Sequence, residues 1–79
     1  MKRGIIMDRI TKANMYSMID TLNQIKPMEG AKFGLDWAYG GVRLVKVWSA
    51  TGGESDLTVR GTMREIYNIM RGIESFERA

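Results

Sequence analysis

Met15, Met18, Ile19, Leu22 and Ile25 recur at three- and four-residue steps, which predicts an amphipathic helix over residues 9–25 with one apolar stripe, extended by Ile10. Asp8 or Thr11 is placed to cap its start. Lys26, disfavoured in the helical region because it precedes Pro27, marks its end. Pro27-Met28-Glu29-Gly30 then reads as a turn. From residue 32 the period falls to two: Phe33, Leu35, Trp37 and Tyr39 alternate with Lys32, Gly34, Asp36 and Ala38, the mark of a half-buried strand. Gly40-Gly41 suits the loop of a two-residue hairpin, whose central positions need positive φ. That loop pairs Tyr39 with Val42, Trp37 with Leu44, Leu35 with Lys46 and Phe33 with Trp48. One face then collects the large apolar residues plus Lys46. The other carries Gly34, Asp36, Ala38, Arg43, Val45, Val47 and Ser49, with Asp36 and Arg43 as diagonal neighbours.

Residues 50–55 read as a flexible loop, and Asp56-Leu57-Thr58-Val59-Arg60 as a short third strand at the sheet edge. Thr62 and Glu65 have the spacing of a capping box, so the last helix starts there and runs to about Glu77. Its buried stripe is Met63, Ile66, Tyr67, Met70, Ile73 and Phe76. Gly72 within it marks either a close helix contact or early fraying. The expected fold is α+β: a single domain over residues 9–77 in the order α-β-β-β-α, a three-stranded antiparallel sheet with both helices on one face. Residues 1–8 form an N-terminal arm.

Size and composition sharpen this picture. A chain of 79 residues has room for one compact core. With no cysteine it has neither disulfides nor thiolate metal sites, so apolar packing and self-association are what remain to stabilise it. No apolar run approaches a membrane span, and a cytoplasmic location is expected. The net charge of +3 suggests nucleic acid, yet its distribution argues otherwise. Residues 1–12 hold four basic residues against Asp8 alone, and residues 13–79 hold eight of each sign. A start at Met7 in place of Met1 would remove Lys2 and Arg3.

Histidine and cysteine are both absent, which removes the commonest general base, metal ligand and nucleophile together and points away from an enzyme. Glu54 and Asp56 are too few ligands for a calcium loop. Tyr39-Gly40-Gly41 and Thr51-Gly52-Gly53 do not lead into a phosphate-binding helix. No cofactor or metal is expected. Trp37, Tyr39 and Trp48 lie on the face the helices cover and read as core rather than as a base-stacking platform.

The best candidate surface is the entry and outer face of the last helix. Arg60 and Arg64 flank Gly61-Thr62, where free backbone N–H groups favour anions. Arg64, Asn68 and Arg71 then follow at i, i+4 and i+7 as a polar stripe, with Lys46 as a further cation. Such a surface suits an acidic protein face or a phosphate backbone.

The element order resembles the double-stranded-RNA-binding domain, but Gly61-Thr62-Met63-Arg64-Glu65 lacks the lysine cluster which that family carries at the start of its last helix. Residues 33–72 resemble a group of small phage and prophage proteins. The likeness is carried by Leu35-Asp36-Trp37-Ala38-Tyr39-Gly40-Gly41-Val42-Arg43-Leu44, Gly52-Gly53-Glu54-Ser55 and Arg60-Gly61-Thr62-Met63-Arg64-Glu65-Ile66-Tyr67. The resemblance implies a phage accessory protein. The leading expectation is a non-enzymatic protein that binds a host or phage protein, to modulate or inhibit it. The alternatives are a small nucleic-acid-binding module and a structural homodimer joined through the third-strand edge or the Val45/Val47 face.

Overall fold

A computed structural model describes residues 9–79. Helix α1 (Lys12–Ile25) is followed by strands β1 (Ala31–Ala38), β2 (Gly41–Trp48) and β3 (Glu54–Asp56), then helix α2 (Met63–Arg78). The strands form an antiparallel sheet in the order β1-β2-β3, and the α+β fold is the one the pattern predicts. The N-terminal arm and the proposed Asp8 cap lie outside the described residues. The start of α1 is therefore set by Thr11: its hydroxyl accepts from the N–H of Asn14 at 3.1 Å, and the Asn14 side chain accepts from the N–H of Thr11 at 3.0 Å. The helix begins later than residue 9, with Ile10 before it and packed against the core.

Both helices lie on one face of the sheet and against each other. Met15, Met18, Ile19 and Leu22 of α1, Phe33, Val42 and Leu44 of the sheet, and Ile66 and Met70 of α2 form the buried core. Burying each such side chain fully contributes about 1.5–3 kcal/mol. Phe76, expected in this core, is 79% exposed, because it lies to the side of the line through Ile66 and Met70 that α2 buries. Within the chain, Gly72 marks neither a close helix contact nor fraying. A Cβ there would meet nothing within 4 Å, and α2 continues unbroken to Arg78.

The hairpin register differs from the expected one by two residues. Ala38 pairs with Gly41, Trp37 with Val42, Leu35 with Leu44, Phe33 with Lys46 and Ala31 with Trp48, so the loop is Tyr39-Gly40. A two-residue shift preserves which side chains share a face, which is why Phe33, Leu35, Trp37, Val42 and Leu44 keep their places on the core side. The cause is Gly41. Its φ of +140° suits only glycine, and a Cβ there would collide with the carbonyl of Gly61, which approaches to pair with Val42. Gly41 thus serves the strand, and Tyr39 leaves the core for the fully exposed hairpin tip.

The third strand also moves. It is Glu54–Asp56 rather than residues 56–60. Beyond Asp56 the N–H groups of Leu57 and Thr58 both donate to the carbonyl of Leu44, at 2.9 and 3.3 Å, while the hydroxyl of Thr58 accepts from the N–H of Leu44 at 3.1 Å. A side chain has replaced a backbone partner, so regular pairing stops. It resumes as a bridge between Val42 and Gly61, with N–H···O distances of 2.9 Å in both directions. The intervening residues bulge, and Leu57 and Val59 are turned outward to 45% and 84% exposure.

Candidate functional site: an apolar groove beside α2

The structure divides the surface that the sequence suggests. Arg60 is committed internally: Nη2 lies 2.9 Å from Oδ2 of Asp36, and Nη1 donates to the carbonyls of Asp36 at 3.0 Å and Gly41 at 3.2 Å. Arg43, directly opposite Asp36 rather than diagonal to it, brings Nε to 2.9 Å from the same oxygen, an ion-pair contact outside hydrogen-bond alignment. Its Nη1 donates to Asp56 at 3.0 Å. The Arg60 hydrogen bond and the two guanidinium charges hold the Asp36 carboxyl below its ordinary range, against partial desolvation. This cluster ties β1, β2 and the chain after β3 together on the sheet face away from the helices. Asp56 is a strand residue paired with Arg43. Among the described residues no group of acids is arranged to hold a metal.

The proposed anion site at the start of α2 is filled by the protein itself. Glu65 Oε1 accepts from the N–H of Thr62 at 2.8 Å, and the Thr62 hydroxyl accepts from the N–H of Glu65 at 3.1 Å. The Gly61 N–H and carbonyl are both used in the bridge to Val42. A carboxylate already occupies the helix entry, so an incoming anion meets charge of its own sign.

Arg64, Asn68 and Arg71 do come together, with Ile10 and Tyr67, around a shallow cleft of about 180 Å³. Lys46 is not part of it. It stands on the sheet with Nζ 4.4 Å from the centroid of the Trp48 ring, and the indole Nε1 donates to Ser55 Oγ at 3.0 Å. Trp48 is exposed rather than core, since it lies at the far end of β2. Trp37 is half-buried under Lys12 and donates to the Tyr16 hydroxyl at 2.7 Å.

Lys46 borders a different feature, a groove of about 620 Å³ between α2 and the bulge after β3. Phe33 and Leu44 floor it, Ile69, Ile73 and Phe76 of α2 form one wall, and Leu57 and Thr58 form the other. Lys26 and Glu77, paired at 3.1 Å, and Lys46 supply its charges. A second, separate hollow shares Ile69 with the groove and is otherwise lined by Val59, Arg60, Gly61, Glu65, Ile66 and Asn68. The groove and the arginine cleft share no lining residue.

The groove exists because two local rules conflict with full coverage of the sheet. The apolar arc of α2 runs through Ile66, Met70 and Ile73 and extends on to Ile69 and Phe76, which is wider than the contact one helix makes with the sheet. The bulge then places Leu57 opposite that surplus. A regular strand over residues 56–60 would have shown Leu57 and Val59 as ordinary alternation, so the sequence hides the wall they form. Ile69, which stands outside the expected stripe, was the available signal. Among the described residues no helix is long and apolar enough to cross a membrane. Comparison with protein-family models, curated proteins and solved structures finds no match for this chain.

Proposed function

We propose that this chain is a non-catalytic module that works by protein–protein contact through the groove between α2 and the bulge after β3. The observation that carries this reading is the exposure of Leu57, Ile69 and Phe76, each 42% or more, around one apolar groove, with Val59 in the hollow that adjoins it at Ile69. Isolated exposed apolar residues are ordinary, whereas a contiguous patch on a small chain marks a contact surface. A groove walled by a helix and floored by Phe33 and Leu44 fits the apolar face of an amphipathic segment. The Arg64-Asn68-Arg71 stripe is a secondary polar contact for an acidic neighbour. Resemblance to small phage and prophage proteins supports an accessory role on a host or phage protein. The nucleic-acid alternative loses support, because Arg60 is bound to Asp36 and Lys46 is separated from Arg64 and Arg71.

Amphipathic peptides selected from a random library against the folded chain provide the test. Titrated into isotope-labelled protein, they should shift the amide signals of Leu57, Thr58, Ile69 and Ile73, and Ile69→Asp should abolish binding. Shifts confined to Arg64 and Arg71 would overturn the reading.

A further inference from the structure

We propose that the occupant of this groove is a second copy of the chain, packed about a two-fold axis with the α2 helices antiparallel. The proposal rests on the reading of the groove as a protein-docking surface, and four observations name the partner.

Gly72 comes first. It lies in the interior of α2 with open space where a Cβ would stand, so nothing within the chain requires glycine there. Glycine in a helix interior is unfavourable relative to alanine, and what it provides is close approach of another backbone. Ile69, Gly72, Ile73 and Phe76 fall at i, i+3, i+4 and i+7, one stripe along the groove side of α2. An antiparallel pair with its axis between residues 72 and 73 sets Phe76 of each copy against Ile69 of the other, and Gly72 against Ile73. Such a stripe is its own complement, as an isologous interface requires.

Stability supplies the second argument. A domain this small ordinarily needs a staple, and this one has no cysteine and, among the described residues, no metal-binding group. Association is the staple left. A standard interface takes about 800 Å² per partner, roughly 15% of the 5232 Å² surface, so a dimer would have to engage α2 and the segment after β3 together. Phe76, Leu57, Val59 and Ile69 give that area an apolar centre.

The remaining two observations close the other self-contacts. At the β1 edge the Asn23 side chain imitates a neighbouring strand, accepting from the N–H of Phe33 at 2.8 Å and donating to its carbonyl at 3.3 Å. At the β3 edge, two-fold antiparallel pairing about Ser55 would oppose Glu54 of one copy to Asp56 of the other, like charges face to face. The Val45/Val47 face offers little either, since Val45 is fully buried.

Sedimentation equilibrium and light scattering on the full chain test this directly. The expected mass is twice 9.0 kDa. Phe76→Asp, at an exposed position that should not impair folding, should weaken dimerisation at least tenfold with an unchanged circular dichroism spectrum. Because the chain has no cysteine, Gly72→Cys gives a clean geometric check: near the axis it should oxidise to a covalent dimer, whereas Ser75→Cys should not. A monomer at concentrations up to about 1 mM, corresponding to roughly −4 kcal/mol of association, overturns the proposal. So does a dimer that survives Phe76→Asp and leaves Gly72→Cys uncrosslinked. If the monomer still takes amphipathic peptides at Leu57 and Ile69, the docking groove stands and only its occupant is wrong.

Discussion

Arg60 reaches over β2 to Asp36 on β1, a residue 24 positions earlier, donating to both its carboxylate at 2.9 Å and its backbone carbonyl at 3.0 Å. Arginine is suited to this because its planar fork presents several donors in fixed geometry. A side chain that looks like a recognition residue beside a helix entry is therefore a tie between strands. The distinction matters for mutagenesis, since loss of Arg60 acts on the fold and loss of Arg71 on the surface.

Arg60→Ala should lower the urea midpoint measurably, because it leaves the carboxylate and carbonyl of Asp36 without that donor. Arg71→Ala, on the exposed stripe, should stay within about 0.5 kcal/mol of the wild type. Equal effects from the two, read by urea denaturation followed by tryptophan fluorescence, would contradict the structural role given to Arg60.

The Asp36 carboxyl also sets a pH dependence. The Arg60 hydrogen bond and the charges of Arg43 and Arg60 depress its folded-state pKa below the ordinary 3.8. A depressed carboxyl contributes stability that is fully present above the unfolded value and is lost as pH falls through the folded value. The stability gap between wild type and Asp36→Asn should thus hold near neutrality and close as pH drops below 3.8. Denaturation series at stepped pH check it, and a gap that widens on acidification would reverse the sign.

Gly41→Ala should destabilise by about 1–3 kcal/mol, since it combines positive-φ strain with a clash against the Gly61 carbonyl that breaks the Val42–Gly61 bridge. Gly52→Ala, at φ +75° with open space around it, should cost less. Thermal unfolding of the two variants separates a close approach from a turn preference.

Asn23→Ala should cost about 1–3 kcal/mol, because the Phe33 N–H and carbonyl lose their partner at a half-buried edge. It should also raise self-association by strand pairing, an effect that light scattering of Asn23→Ala beside the double variant Asn23→Ala/Phe76→Asp would isolate. Amide exchange at Phe33 should quicken.

Much of the fold was legible because periodicity states what a residue does to its own element. Met15, Met18, Ile19 and Leu22 mark the face of α1, the alternation through Phe33, Leu35 and Trp37 marks β1, and Thr62 with Glu65 marks the start of α2 in each other's backbone hydrogen bonds. These are interactions within a few residues, so a linear pattern encodes them. The register, the length of β3 and the fate of Arg60 are contacts between segments far apart in sequence. Gly61 needed Gly41 to lack a side chain, Thr58 displaced a ladder partner of Leu44, and Asp36 took Arg60. The groove is a difference between two such quantities, the apolar width of α2 and the sheet left for it to cover. Residue order determined the first, and only tertiary packing decided the second.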